Sequence, residues 1–131
     1  MCIRDSLAPA CDMHDMGDDN PEETFGYIAK EAGNRNLAFI FAREEQSNQA
    51  LGPKIKERFG GPFIANENLT KEDAEKLIES GTADAASWGK LFIVNPDLVE
   101  RFAQDSEFNE ADFDTFYGGG SEGYTDYPKL G

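Results

Sequence analysis

Several residue types are scarce in this 131-residue chain, and each scarcity excludes a class of protein. The two cysteines, Cys2 and Cys11, are too few for a disulfide framework and lack the partner spacing of a zinc site. Basic residues number 12 against 26 acidic ones, for a net charge of −14, which argues against nucleic acid and anionic membranes as partners. No apolar run approaches the roughly 20 residues of a membrane-spanning helix. The cysteine usage favours a reducing, cytoplasmic location.

The start of the chain also lacks something, namely the apolar segment of a secretory signal peptide. Residues 1–6 are mostly polar and run abruptly into Leu7-Ala8-Pro9, as in a domain cut open in its middle. We therefore predict that residues 1–6 are a non-native leader. The remaining residues, 7–131, have the length of a single domain.

Apolar strands and amphipathic helices alternate through the middle of the chain. The predicted strands are Leu37–Ala42, Pro62–Ala65 and, more weakly, Ala83–Trp88. The predicted helices run from Pro21 to about Ala32, from Gln49 to Phe59, and from Lys71 to a stop at Gly81. This alternation predicts an α/β fold of parallel βα units, either an open doubly wound sheet or a (β/α)8 barrel. A complete barrel needs about 250 residues, so this chain can supply three to four βα units of a truncated one.

Local signals set the expected helix ends. Asn20 is predicted to cap the first helix ahead of Pro21, and Thr70 to open the third with a capping box. Gly33 is expected near the end of the first helix and Gly60-Gly61 at the end of the second. A buried stripe of Ala74, Leu77 and Ile78 is expected on the third helix, and Asp97 is expected to cap a later one.

The segment Trp88-Gly89-Lys90 is a candidate phosphate site, because a strand ends and a short helix begins there. A helix N-terminus offers unpaired amides, glycine permits close approach, and lysine adds a positive charge. In a (β/α)8 barrel the loops after the last two strands form a recurrent phosphate site, and residues 65–68 would be the other loop. The alternative is a turn with a solvated surface lysine. A lone Gly-Lys pair does not decide between them.

Two further segments invite a functional interpretation. Residues 116–128 combine three consecutive glycines with aromatic residues, which suggests a flexible linker or, given its aromatic anchors, a held loop beside a planar ligand. The acidic residues 12–19 surround His14, but they lack EF-hand spacing, so we predict no metal site.

Longer motifs carry a family resemblance. Residues 88–98, Trp-Gly-Lys-Leu-Phe-Ile-Val-Asn-Pro-Asp-Leu, resemble the last strand and phosphate loop of old yellow enzymes. Residues 115–128, Thr-Phe-Tyr-Gly-Gly-Gly-Ser-Glu-Gly-Tyr-Thr-Asp-Tyr-Pro, are similar to the C-terminal signature of that family, and Leu7-Ala8-Pro9 resembles the end of its fifth strand. The resemblance covers nearly all of residues 7–130 and implies the C-terminal half of an FMN-dependent (β/α)8 barrel.

The resemblance also implies an activity. Such enzymes take hydride from NADH or NADPH and reduce activated C=C bonds of small enone-type molecules. By resemblance, Asn68, Gly89 and Lys90 correspond to FMN phosphate-binding positions and Tyr117 lies near flavin and substrate. Lys90 stands where the family usually has Arg, and Ser6 stands at the position of a flavin-contacting Arg.

The catalytic residues of the family belong to its first four strands. We therefore predict no catalytic residue in this chain, and we expect it to be inactive alone. The alternatives are a non-redox half-barrel that binds a phosphorylated ligand and another phosphate-binding barrel enzyme, such as a sugar-phosphate isomerase. The substrate, the choice of nicotinamide and the oligomeric state are not specified by the sequence.

Overall fold

The computed structural model describes residues 4–9, 17–45, 47 and 49–131. The chain divides into two compact units, residues 1–87 and residues 88–131. Cys11, His14 and most of the acidic cluster lie outside the described residues, as do residues 1–3 of the predicted leader. Among the described residues, no helix is both long enough and apolar enough to cross a membrane.

The first unit contains a parallel sheet in the order β1-β2-β3-β4. The strands are β1 (Arg4–Leu7), β2 (Phe39–Arg43), β3 (Phe63–Asn66) and the short β4 (Ala85–Ala86). Burial alternates along β2 and β3, so Ile40 and Ala42 are buried while Phe39 and Phe41 are half-buried. This alternation identifies two different faces of the sheet, of which only one is fully covered.

Three helices connect these strands: α1 (Pro21–Asn34), α2 (Gly52–Phe59) and α3 (Lys71–Glu79). The predicted N-caps of α1 and α3 are confirmed. The Asn20 side chain accepts a hydrogen bond from the Glu23 amide at the start of α1, and Thr70 forms a full capping box with Asp73 at the start of α3. Gly60 ends α2 in a left-handed conformation with φ +71°, as glycine readily does.

Gly33 lies near the end of α1, as expected. The helix continues to Asn34, and a Cβ placed on Gly33 would lie 2.4 Å from the carbonyl oxygen of Phe59. Glycine is therefore needed there because α1 and α2 approach closely. The prediction that Ile78 belongs to a buried stripe is wrong: its side chain is 47% exposed, while Ala74 is buried and Leu77 half-buried. Helical periodicity selects a face of α3 but does not determine which edge of that face a neighbour covers.

Other predicted bounds were displaced. Helix α2 begins at Gly52 and not at Gln49. The strand predicted over Ala83–Trp88 is β4, and it is shorter than predicted, covering only Ala85–Ala86. The family resemblance predicted the end of a strand at Leu7-Ala8-Pro9, and β1 ends at Leu7. Residues 4–6 of the predicted leader lie in β1 and pair with β2 in the structure. That residues 1–6 are a non-native leader stays a prediction.

The second unit contains two short helices, α4 (Lys90–Val94) and α5 (Leu98–Gln104), followed by an irregular tail. Its interior includes the fully buried Leu98 and Asn95. The rings of Trp88, Phe102 and Phe108 form a chain of edge contacts, with centroids 5.0 and 5.8 Å apart. Most of the backbone of this unit lies outside helices and strands. Specific polar contacts are therefore needed to satisfy its backbone groups and stabilise its conformation.

Candidate functional site

The carboxyl ends of β2 and β3 carry charged and amide side chains that contact one another. The Arg43 Nε donates to the Glu67 carboxylate, and the Arg43 Nη2 lies 3.3 Å from Glu67 Oε1. The Asn66 Nδ2 donates to the carbonyl oxygen of Ser87 at 2.7 Å. These contacts connect the ends of β2, β3 and β4 at the edge where parallel α/β sheets usually bind ligands.

Glu44, the next residue after β2, binds the start of α2 through its side chain. Its side chain is buried, and its two carboxylate oxygens accept the Leu51 and Gly52 amides at 2.8 and 2.9 Å. A carboxylate at this position satisfies amides at the start of α2 and interacts favourably with the positive end of the helix dipole. Glu44 therefore stabilises the helix start at Gly52, which explains why α2 begins later than its sequence pattern suggested.

The turn after β3 has an unusual backbone. Glu67 and Asn68 both have positive φ, +96° and +49°. Asn is one of the residues that tolerate the left-handed region, whereas Glu is uncommon there, and such positions cost about 1–3 kcal/mol each. The surrounding contacts must therefore maintain this turn.

Asn68, a predicted FMN-binding residue, lies in this turn. Its Nδ2 donates to Glu45 Oε1 at 2.7 Å. Glu45 follows Glu44 in the segment after β2, and its carboxylate holds the Asn68 amide in place. An Asn amide has two N–H donors, and this bond uses one of them. The arrangement fits an additional acceptor such as a phosphate oxygen, provided that the nearby negative charge is offset.

In the second unit, Gly89 and Lys90 occupy the predicted helix start. Gly89 is the N-cap of α4, and its carbonyl accepts the Phe92 and Ile93 amides at 3.0 and 3.2 Å. A Cβ on Gly89 would meet nothing within 4 Å, so the approach to this backbone is open. Both residues are exposed. Since α4 has only five residues, its dipole is small, and any attraction for an anion must come mainly from the Lys90 ammonium.

Lys90 lies at one end of a row of aromatic rings that includes Tyr117 and ends at Tyr124. Lys90 Nζ lies 5.7 Å from the Phe113 ring centroid, a cation–π contact, and Phe113 meets Phe116 at 5.4 Å. Phe116 meets Tyr117 at 6.2 Å, and Tyr117 meets Tyr124 at 6.1 Å, both edge to face. Three of the four predicted site residues, Gly89, Lys90 and Tyr117, therefore lie in the second unit, and two aromatic rings separate Lys90 from Tyr117.

Tyr117 is not a core residue. Its side chain is 70% exposed and its φ is +62°, while the adjacent Phe116 is buried. The glycine-rich segment beyond it is held, as the aromatic anchors suggested. The Thr115 Oγ1 donates to the Gly123 carbonyl at 3.0 Å, and the Gly123 amide donates to Asp126 at 2.7 Å. Tyr117 therefore presents an exposed ring on a fixed loop.

A buried polar cluster centred on Arg101 anchors the tail to α5. The Arg101 Nε donates to Asp97 Oδ1 at 2.8 Å, and its Nη groups donate to the carbonyl oxygens of Glu107 and Pro128 at 2.5 and 3.1 Å. The Leu130 amide donates to Asp97 Oδ2 at 2.6 Å. This amide, and then the Arg101 guanidinium, hold the pKa of the Asp97 carboxyl below its usual range.

Asp97 was expected to cap α5, and it does occupy the N-cap position. Its side chain, however, makes no cap hydrogen bond and serves the tail instead. Sequence reasoning also missed the Arg43–Glu67 pair and the role of Arg101, because each joins residues from separate segments. The available signals were weak: a polar residue directly after a strand, and an Asp and an Arg four residues apart on a helix.

A metal site has no support in the described part of the chain, where no group of three or more His, Cys, Asp or Glu side chains is placed to hold an ion. The phosphate of a flavin mononucleotide would need different features: an approachable amide, a cation and an amide donor. In the second unit, Gly89 leaves its backbone open to approach and Lys90 supplies a cation. In the first unit, Asn68 supplies a side-chain amide donor.

Comparison with known proteins identifies the family. No protein-family model matches the chain. The chain is 34% identical over 95% of its length to putative 12-oxophytodienoate reductase 5 of Oryza sativa subsp. japonica. It is 33% identical, again over 95% of its length, to a probable flavin mononucleotide-dependent alkene reductase of Leishmania infantum. It spans only 36% and 35% of these two relatives.

Solved structures agree with the sequence relatives. The old yellow enzyme homologue from Zymomonas mobilis matches 97% of this chain with a TM-score of 0.90 and 34% identity, over 38% of its own length. Morphinone reductase in complex with tetrahydroNAD matches 98% with a TM-score of 0.90 and 37% identity, over 36% of its length. The parallel strands and helices therefore correspond to part of a (β/α)8 barrel, and the chain belongs to the old yellow enzyme family.

Proposed function

We propose that the complete protein containing this chain is an FMN-dependent oxidoreductase that uses NADH or NADPH to reduce activated C=C bonds of small enone-type molecules. Family membership supports this, as do the names of the relatives, one an FMN-dependent alkene reductase and another a reductase bound to tetrahydroNAD. Bound FMN would supply the hydride-transfer chemistry. This chain's own residues would bind and orient it.

The observation that carries the proposal is the start of α4. Gly89 leaves an open approach to the backbone, and the exposed Lys90 ammonium follows it directly. We assign both to the flavin phosphate: the Gly89 segment by hydrogen bonds from backbone amides and Lys90 by charge. Lys supplies a point charge where a bidentate Arg fork is usual in the family, so its contact is less directional.

Asn68 is assigned to FMN through the free N–H of its side-chain amide. The amide is already oriented by Glu45, which lowers the entropy lost on binding. Tyr117 is assigned to the edge of the flavin and the substrate. Its exposed ring on a held loop offers an aromatic surface and a phenolic hydroxyl, which suit a planar conjugated ligand.

The test is to purify the complete protein and record its absorption spectrum. We expect a flavin spectrum, release of FMN on denaturation, and anaerobic bleaching by NADH or NADPH that cyclohexenone reverses. A colourless protein that binds sugar phosphates but no flavin would contradict the proposal and favour a non-redox phosphate-binding barrel.

The 131-residue chain alone is proposed to be inactive. It spans about a third of its relatives, and the half-buried Phe39 and Phe41 lie on the less covered face of its sheet. Among the described residues the sheet order is β1-β2-β3-β4, so β1 and β4 are its outer strands, and the outer strand of a sheet can pair with another chain and aggregate. We expect no cyclohexenone reduction above the free-flavin background when FMN and NADPH are added anaerobically. Steady turnover would show that the chain is a functional unit.

A further inference from the structure

Arg43 and Glu67 form a two-point ion pair at the carboxyl ends of β2 and β3. Nε of Arg43 donates to Glu67 Oε2, and Nη2 lies 3.3 Å from Oε1. Strand register explains their proximity, because Arg43 is paired with Asn66 across the sheet and Glu67 follows Asn66 directly. A guanidinium fork fixes the orientation of a carboxylate as well as its position.

The same turn has a second contact of this kind. Asn68 donates to Glu45, so Arg43 at the end of β2 and Glu45 just beyond it contact two successive residues of the turn. Both held residues have positive φ. Residue preference alone does not maintain such a conformation in Glu67, so the contacts from the β2 side determine where its carboxylate lies.

The charges at this turn bear directly on phosphate binding. A phosphate monoester carries about −1.5 to −2 charges at neutral pH, so Glu45 and Glu67 repel it. Arg43 places a positive charge against Glu67 and turns that carboxylate toward itself. The affinity of the Asn68 amide for a phosphate oxygen therefore depends on a residue that belongs to a different strand.

We propose that Arg43 is a positioning residue for the flavin phosphate, which acts by holding and neutralising Glu67 beside Asn68. The inference rests on the proposed function, because it takes Asn68 to be an FMN-binding residue. It assigns Arg43 an indirect role: the phosphate is not required to touch the guanidinium. Without Arg43, the Glu67 carboxylate is uncompensated and repels the phosphate.

Binding of FMN and riboflavin to the flavin-free complete protein provides the test, because the two ligands differ only in the phosphate. Flavin fluorescence would be titrated for the wild type, Arg43→Ala, Glu67→Gln and the double variant. We expect Arg43→Ala to weaken FMN binding by about tenfold or more and riboflavin binding hardly at all, as loss of a close charge partner predicts. In the double variant, FMN affinity should return to within about threefold of the wild type, since the two sites are coupled.

Arg35→Ala is the matched control. Arg35 also forms an ion pair with a Glu, Glu31 at 2.6 Å, but on the surface of α1. The Arg35→Ala substitution removes the same charge but does not affect the turn at Glu67 and Asn68, so FMN affinity should be unchanged. A general loss of positive charge would weaken FMN binding equally in both Arg variants and would overturn the proposal.

Two other results would overturn it. Equal weakening of FMN and riboflavin by Arg43→Ala would show that Arg43 only maintains the fold. Failure of the double variant to recover would show that Arg43 binds the phosphate itself. If the wild type bound neither flavin, the proposed function would fail and this inference with it; if it bound FMN and Arg43→Ala changed nothing, the inference alone would fail.

Discussion

Asp97, the N-cap residue of α5, and Arg101 in the last turn of that helix form a buried ion pair in which Nε of Arg101 donates to Asp97 Oδ1 at 2.8 Å. The pair does more than join two charges within a helix. Its remaining donors and acceptors bind the backbone of residues 107, 128 and 130. Because the tail also carries Tyr117, this pair helps to fix the segment that presents the exposed aromatic ring.

Arg101→Ala should loosen the tail. The buried Asp97 carboxylate would lose its charged partner, and the carbonyl oxygens of Glu107 and Pro128 would each lose the Arg101 donor, which is among the costlier single changes in a protein. We expect the melting temperature of the complete protein to fall by roughly 5–10 °C, with faster amide exchange in residues 106–131. Arg35→Ala, which breaks an exposed pair on α1, should change the melting temperature by no more than about 1 °C. Unchanged exchange in the tail would contradict this role.

Acid should destabilise the fold by protonating two carboxylates that are hydrogen-bonded in the folded state, Asp97 and Asp84. The pKa of Asp97 is lowered by the Leu130 amide and by Arg101, and the pKa of Asp84 is lowered by the Phe63 amide and then by Lys56. A carboxyl whose pKa is lower in the folded state stabilises that state above its ordinary pKa of about 4, and this contribution is lost as the pH falls through the lowered value. We therefore expect the melting temperature to decrease below about pH 4.

Asp97→Asn tests whether that residue contributes to the acid response. The variant should melt at a lower temperature at pH 7 and show a flatter decline below about pH 4, since it has no carboxyl to protonate. Asp114→Asn, an exposed position in the same unit, is the control and should follow the wild type. A parallel, undiminished acid response in Asp97→Asn would mean that other carboxyls dominate.

Lys90→Ala should weaken FMN binding by roughly 10- to 150-fold, the range expected for loss of a charge-assisted hydrogen bond. Lys90→Arg should retain most of the affinity, because Arg restores the charge and offers a two-point contact with phosphate. Lys129→Ala, an exposed lysine of the tail, controls for net charge. Isothermal titration of flavin-free protein with FMN and riboflavin measures the effect, and equal affinity for both ligands in the wild type would rule out a phosphate contact.

Tyr117→Ala should change kcat or KM for an enone more than it changes folding, because the side chain is 70% exposed. Its ring contacts with Phe116 and Tyr124 contribute little to stability at that exposure. Tyr117→Phe separates the ring from the hydroxyl: preserved KM would assign the role to the aromatic surface. Wild-type kinetics in the alanine variant, combined with a melting temperature several degrees lower, would show a purely structural residue.

Local signals in the sequence determined most of the helices and strands. Pro21 behind Asn20, the Thr70–Asp73 box and Gly60 act over a few residues, so they define helix ends without reference to the rest of the fold. The apolar runs that alternate with helices were enough to predict parallel βα units, while the choice of a barrel over an open sheet came from the family resemblance. Gly89-Lys90 at a helix start was likewise readable, since the geometry of a helix terminus is local.

Tertiary structure alone decided the contacts between distant segments. Nothing near Gly33 indicates that the Phe59 carbonyl lies against it, and nothing near Ile78 indicates that it stays exposed. The Arg43–Glu67 pair requires the register of β2 against β3, and the Asp97–Leu130 bond requires the tail to return to α5. Such contacts depend on which residues the folded chain brings within hydrogen-bond distance, and sequence spacing does not specify that for residues 24 to 33 positions apart.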